Sequence, residues 1–279
     1  MDQNKRKTVW KSCGCVVCKV ERNRIMYTEF QVKREHDTLA GYKWAVDAPK
    51  GIVILLHGLG ECAAKYDPVA AWFTAAEYAV YAVDLPGHGC SFGKRGHVGC
   101  SAEIVKIVDE VINYAKKDCP NVPVFVMGHS MGGNIALSHR CYRRDASDIK
   151  GYVSGSPWLS VDNKWLKNHY KTVLFLGFLL PKMTIGEGWC KISFRTAADR
   201  ERDARLVTEK AGEGKPVYLF NGSKDPLCLP AGAHLFRDRA GVLCTYREWE
   251  NREHDLLTVD GGKEVAEEII TWLDSMVKS

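Results

Sequence analysis

The segment Gly51-Ile52-Val53-Ile54-Leu55-Leu56-His57 is apolar without a break up to its histidine. A strand with one wet face would alternate. An unbroken run predicts a strand covered on both faces, as in a parallel sheet between helical layers. Similar runs recur at Ala79 to Asp84 and Val122 to Met127, separated by helix-like stretches at Ala63 to Glu77 and Ser101 to Lys117. Further strands are expected near Tyr152, at Pro216 to Phe220 and at Val242 to Trp249, with a closing helix from Gly261 to Met276. Ile25 to Val32 and Tyr42 to Val46 read as a leading antiparallel pair that turns near Ala40-Gly41. Strands alternating with helices predict an α/β fold, a mostly parallel sheet flanked by helices. Pro157 to about Ala211 breaks the rhythm. With no good strand over residues 157–211, it reads as a short helical cap inserted into a domain of residues 25–279.

Charge and cysteine content narrow the function classes. Seven of the 39 basic residues but only two of the 34 acidic ones fall in residues 1–24, so the rest of the chain carries 32 of each sign. A neutral body argues against nucleic-acid binding as the main activity. No apolar run approaches the ~18 residues of a membrane span. Met1 to Lys7 is too polar for a secretory signal, so the eleven cysteines are expected as reduced thiols of a cytoplasmic protein. The basic tail groups Trp10 with Cys13, Cys15 and Cys18. Zinc would need a fourth ligand that is not near, so no metal is expected. The tail reads either as a frayed terminus with incidental thiols or as a polybasic, S-acylated membrane contact.

Gly128-His129-Ser130-Met131-Gly132-Gly133 follows the apolar run Val122–Met127 and precedes the helical stretch Asn134 to Tyr142. This is G-x-S-x-G in a strand–turn–helix setting, which strains the serine backbone and lifts its hydroxyl above the sheet edge. A serine at the head of a helix also faces backbone N–H groups that favour a developing negative charge.

With this motif the chain resembles the α/β-hydrolases of the monoglyceride lipase and lysophospholipase branch, the serine aminopeptidase S33-like group. The matching stretches are Leu56-His57-Gly58-Leu59-Gly60-Glu61, Asp84 to Ser91, Gly128 to Gly133, Gly222-Ser223-Lys224-Asp225 and the region of His254. They run in family order over about residues 25–277.

The resemblance implies an α/β-hydrolase fold and the chain order Ser, then Asp or Glu, then His. Ser130 is then the nucleophile. Asp225, in the turn-rich loop after the strand Pro216–Phe220, is the favoured carboxylate, ahead of Asp84 and Asp255. Only His234 and His254 follow Asp225. His254 is preferred because it lies in the loop after the strand Val242–Trp249, whereas His234 lies within a helical stretch. The family also implies an oxyanion hole from the backbone N–H groups of Leu59 and Met131. Glu61, His88 and His129 match family positions too and are expected to brace loops.

The implied activity is hydrolysis of carboxylic esters of single-chain lipids such as monoacylglycerols, through an acyl-enzyme and with no cofactor. Lysophospholipase and S33-type aminopeptidase are the alternatives within enzymes, and a non-catalytic binder on the same fold is the rival outside them. The cap run Val173 to Leu180 is apolar or glycine throughout, and six basic residues stand against two acidic ones over residues 160–196. Two readings follow. The run is either a buried cap helix, or an acyl-chain wall that includes Leu174, Phe175, Phe178 and Leu179 and dips into a lipid surface. Peripheral membrane contact is thus expected through the cap or the basic tail.

Overall fold

The computed structural model describes residues 26–143, 147–160, 168–186 and 191–278. The tail of residues 1–24, and with it the readings of Cys13, Cys15 and Cys18, lies outside the described residues. Among the described residues, ten strands form two sheets. The main sheet holds β1 (Thr28–Lys33), β2 (Thr38–Trp44), β3 (Gly51–Leu56), β4 (Tyr78–Val83), β5 (Val124–His129), β6 (Ile149–Gly155), β9 (Val217–Gly222) and β10 (Cys244–Trp249). Their order is β1-β2-β4-β3-β5-β6-β9-β10. The β1–β2 and β2–β4 pairs are antiparallel, and every other pair is parallel. This is the α/β-hydrolase sheet.

The unbroken apolar run of β3 serves two cores at once. Ile52, Ile54 and Leu56 pack in one hydrophobic cluster, while Val53 and Leu55 pack in another. Helices α2 (Ser101–Asp118) and α3 (Met131–Tyr142) bury their apolar faces in the first cluster. Helices α1 (Asp67–Ala75) and α7 (Gly262–Lys278) cover the second, with Val265, Ala266, Ile269, Trp272 and Leu273 at helical spacing.

Three expectations need correction. The leading hairpin turns at residues 34–37 rather than at Ala40-Gly41, and Arg34 N–H bonds to the Asp37 carbonyl at 2.9 Å. Gly41 is mid-strand because the ring of Phe30, its partner on β1, lies where a Cβ would go. The glycine there marks close packing, not a turn. The stretch Ala63 to Glu77 divides into a 3-10 turn, Ala63–Tyr66, and α1, where Pro68 sits at the helix start and supplies no N–H. The inserted segment also contains a strand pair, β7 (Thr184–Ile185) with β8 (Ile192–Ser193), too short to register as periodicity. It links two helices, α4 (Tyr170–Leu179) and α5 (Phe194–Glu209).

Candidate active site

Ser130 joins β5 to α3 with φ 56° and ψ −115°, a left-handed backbone that L-residues seldom adopt. The turn is held from three sides. Ser130 N–H donates to the Gly155 carbonyl at 2.9 Å, and its own carbonyl accepts from Asn134 N–H at 3.0 Å and Trp158 N–H at 3.1 Å. The flanking glycines are sterically required. A Cβ on Gly128 would strike the Gly132 carbonyl, and one on Gly132 would strike the carbonyl of Leu56.

Asp225 lies just past β9, nearly out of solvent contact at 3% exposure. Its Oδ1 accepts from the N–H groups of Leu227 (2.8 Å) and Cys228 (2.9 Å), and its Oδ2 accepts from His254 Nδ1 at 2.8 Å. Burial acts to raise this carboxyl's pKa. The His254 hydrogen bond and charge, with the two backbone donors, outweigh burial and hold it below the ordinary aspartate value. His254 is fixed through its carbonyl as well, which accepts from Ser156 Oγ at 2.8 Å and His129 Nε2 at 3.1 Å. The two lesser carboxylates and the second histidine are engaged elsewhere. Asp84 accepts from the N–H groups of Ala63 and Cys90, both at 2.8 Å, and from the Tyr42 hydroxyl at 3.0 Å. Asp255 pairs with Lys65 at 2.8 Å, and His234 on α6 (Pro230–Ala240) pairs with Glu248.

The Leu59 peptide sits in a turn closed by Glu61 N–H on the Gly58 carbonyl at 3.3 Å. Met131 opens α3, where a helix has no internal acceptor for its N–H. Glu61 braces this loop. Its Oε2 accepts from Gly58 N–H (2.8 Å) and the Tyr66 hydroxyl (2.7 Å), and Oε1 accepts from Lys65 (2.6 Å). Burial would raise the Glu61 pKa, but His129 and Lys65 drive it well below the ordinary glutamate value. His129 shows the reverse balance. Burial lowers its pKa, and the Glu61 carboxylate, 3.9 Å from Nδ1, brings it above the ordinary value. His57 and His88 are buried, and desolvation lowers both, His88 to about 3 with help from the neighbouring His57. Neither holds a charge at neutral pH.

Sequence reasoning missed Lys65, whose ammonium joins the Glu61 loop to Asp255 beside His254. It also missed Ser156, just before the inserted segment, and Trp158, which falls at the start of that segment. Nothing local in the sequence marks them, because their partners are 98 and 28 positions away. Cys228, whose N–H holds the Asp225 carboxylate, also interacts through its thiol with the Ser130 side chain. The cap residues Leu174, Phe175, Phe178 and Leu179 do not form a buried helix. Only Val173 and Gly177 of α4 are buried, and Phe178 is 78% exposed. Among the described residues no three His, Cys, Asp or Glu side chains cluster as a metal site.

A doubly covered parallel sheet with a strained serine at the head of α3 and an Asp–His pair past β9 and β10 defines an α/β-hydrolase. The family model for serine aminopeptidase, S33, matches residues 47–211. A monoacylglycerol lipase of Mycolicibacterium smegmatis is 43% identical over 257 residues, covering 83% of this chain and 91% of that protein. The mouse monoglyceride lipase is 35% identical over 215 residues, covering 68% and 70%. Among solved structures, the Paleococcus ferrophilus monoacylglycerol lipase superposes with a TM-score of 0.76 at 26% identity, covering 85% of this chain and 99% of that one. The chain belongs to the S33-type serine hydrolase family, in its monoglyceride lipase branch. It is a carboxylic ester hydrolase of that branch.

Proposed function

We propose that the chain cleaves esters of single-chain lipids, monoacylglycerols first among them, with Ser130, His254 and Asp225 as a catalytic triad. The observation that carries this is the 2.8 Å contact of His254 Nδ1 with a buried Asp225 carboxylate, in the same site as the strained Ser130. His254 takes the Ser130 proton as the hydroxyl attacks the ester carbonyl and then returns it to the leaving alcohol. Asp225, held as a carboxylate, keeps Nδ1 protonated and stabilises the imidazolium. The N–H groups of Leu59 and Met131 receive the oxyanion, where each such donor is worth ~3–4 kcal/mol of barrier. Water then attacks the acyl-enzyme by the same route. None of these steps calls on a metal or an organic cofactor.

A second reading, lysophospholipase, is favoured by a relative named as the phospholipase YtpA of Bacillus subtilis, 29% identical over 240 residues. Contact with a membrane surface is part of the proposal. The outer face of α4 presents Leu174, Phe175, Phe178 and Leu179 to solvent, beside exposed Lys171 and Lys182. Among the described residues no helix is long and apolar enough to cross a membrane, so the contact would be peripheral.

The test is covalent labelling by a fluorophosphonate, followed by hydrolysis rates on monoacylglycerols, lysophospholipids, short nitrophenyl esters and aminoacyl amides of matched size. The native protein is expected to label at Ser130, the Ser130→Ala protein is not, and monoacylglycerols are expected to turn over fastest. Equal behaviour of the two proteins towards the label would overturn the esterase reading.

A further inference from the structure

The carbonyl of Ser130 accepts one bond more than the start of a helix requires. Asn134 N–H supplies the ordinary first bond of α3 at 3.0 Å, and Trp158 N–H adds a second from outside the helix at 3.1 Å. An amide is planar, so the direction of this carbonyl sets the direction of the Met131 N–H across the same peptide. Hydrogen bonds on a carbonyl also polarise the amide and strengthen its own N–H as a donor. The peptide assigned to the oxyanion is thereby aimed and polarised from behind.

Trp158 lies in the turn after β6 and is held there by a side chain of α3. Its carbonyl accepts from Asn134 Nδ2 at 2.8 Å, which closes a ring from Ser130 through Trp158 back to Asn134. The fully buried Asn134 amide is fixed in turn by α5. Nδ2 also donates to the Arg200 carbonyl at 3.3 Å, and Oδ1 accepts from Arg200 Nη1 at 2.9 Å. Arg200, 1% exposed, is itself held by Asp203 at 2.9 Å and Ser101 Oγ at 3.1 Å. A flipped amide would set its NH2 against the guanidinium and its oxygen against two carbonyls, so Arg200 admits one orientation only. A buried ion pair is a poor source of stability. Here it locks the group that straps Trp158 to the nucleophile turn.

We propose that Asn134 is a positioning residue for oxyanion stabilisation: locked by Arg200, it holds Trp158 N–H on the Ser130 carbonyl and so keeps the Met131 N–H aimed at the developing charge. This inference rests on the oxyanion reading above and adds the side chains that maintain it. Position 134 falls outside G-x-S-x-G, and its partners come from the loop after β6 and from α5.

The experiment measures hydrolysis of a water-soluble nitrophenyl ester and inhibition by a medium-chain trifluoromethyl ketone and its methyl ketone counterpart. On the fluorinated ketone, Ser130 Oγ bonds to the carbonyl carbon, the π pair becomes an oxyanion and the serine proton passes to His254. The methyl ketone reports binding without that charge. Asn134→Ala is expected to lower kcat about thirtyfold with KM within twofold, part of the roughly 100- to 1000-fold that outright loss of an oxyanion donor costs. The Ki of the fluorinated ketone should rise by a similar factor and that of the methyl ketone should not change. Asn134→Asp keeps an acceptor for Arg200 but turns an oxygen towards the Trp158 carbonyl, so it should lose as much, and it carries the test if the alanine variant does not fold. Ser138 Oγ contacts the Asn134 carbonyl at 2.8 Å and Asp203 at 3.3 Å, not the Asn134 amide. Ser138→Ala should therefore lower Tm while kcat and both Ki values stay within twofold. Variants at 134 with native circular dichroism that keep kcat and the fluorinated-ketone Ki within twofold overturn the inference, as do equal losses with both ketones or in Ser138→Ala. The triad reading then stands. Native protein that binds the two ketones equally well overturns the oxyanion reading and the inference together.

Discussion

At the scale of single residues, the two histidines after Asp225 are in different electrostatic company. His254 has a buried acid on Nδ1 and two donors on its carbonyl, whereas His234 pairs with Glu248 and is 40% exposed. His254→Ala is expected to lower kcat by at least ~1000-fold while circular dichroism stays native. Adding Ser130→Ala should lower it little further, because the two act as a unit. His234→Ala should retain activity within about twofold, and an inactive His234→Ala protein would refute the assignment of the base. Cys228 yields a second expectation. Its thiol is buried and its pKa raised, so little thiolate exists at neutral pH and alkylation should be slow. A small methanethiosulfonate reagent should nevertheless inactivate the enzyme, faster as pH rises, because an adduct would crowd the Asp225 carboxylate that the Cys228 N–H holds at 2.9 Å. Cys228→Ser should resist. Equal inactivation of both proteins would assign the effect to one of the other cysteines.

At the scale of elements, α4 buries Val173 and Gly177, packs on α5 through the glycine, and exposes most of its other side chains. A Cβ on Gly177 would lie 3.1 Å from the Phe194 carbonyl and 3.2 Å from Ala198 Cβ, so the two helices approach closely there. The opposite side leaves Phe175 and Phe178 61% and 78% exposed. Fully burying a phenylalanine is worth about 1.5–3 kcal/mol, so two of them at a lipid surface amount to more than tenfold in partitioning. Phe175→Glu with Phe178→Glu is expected to abolish sedimentation with anionic vesicles while hydrolysis of a water-soluble nitrophenyl ester persists. Unchanged vesicle binding would remove α4 from the membrane contact. The hydrophobic run of α4 was legible in the sequence, but which of its sides is wet was not. Apolar residues on every side of a helix carry no amphipathic direction, and only the packing of Val173 and Gly177 set one.

For the molecule as a whole, acid stability should depend on the carboxylates that brace the site. Asp225, Glu61 and Asp255 all lie below their ordinary values, each against an opposing burial penalty and through hydrogen bonds and cations. A carboxyl with a lowered folded pKa binds protons more readily when unfolded. Its contribution is therefore complete above about pH 4–5 and lost as pH falls through the folded value. His129 has the opposite sign, stabilising below its ordinary value and losing that contribution as pH rises through its raised one. Thermal stability should be greatest between about pH 5 and 7. Lys65 holds two of these carboxylates at once, at 2.6 and 2.8 Å. Lys65→Met should cost about 2–3 kcal/mol at pH 7, roughly 5–10 °C in Tm, less than for a fully buried pair because the ammonium is partly open to water. The gap from the native protein should narrow as pH falls towards 3, since protonated carboxyls no longer need the cation. A gap that stays constant with pH would show that lost packing, rather than charge, is responsible.

What the sequence determined by itself was whatever is written into neighbours along the chain. The unbroken apolar runs specify strands covered on both faces, because each alternate side chain needs its own hydrophobic layer, and β3 fills both clusters. The elbow is equally local, since Gly128, Ser130 and Gly132 must carry the close contacts within one turn. The order of acid and base followed once the family resemblance was seen. Tertiary structure alone decided which distant groups meet. Gly41 reads as a turn until Phe30 lies across it. Lys65 joins Asp255 from 190 positions away, and Trp158 and Glu201 meet across 43. Side chains that far apart leave no periodicity or spacing for a sequence to display. Their contact is fixed by the layering of helices on the sheet, which brings the loops at the strands' carboxyl ends into one place.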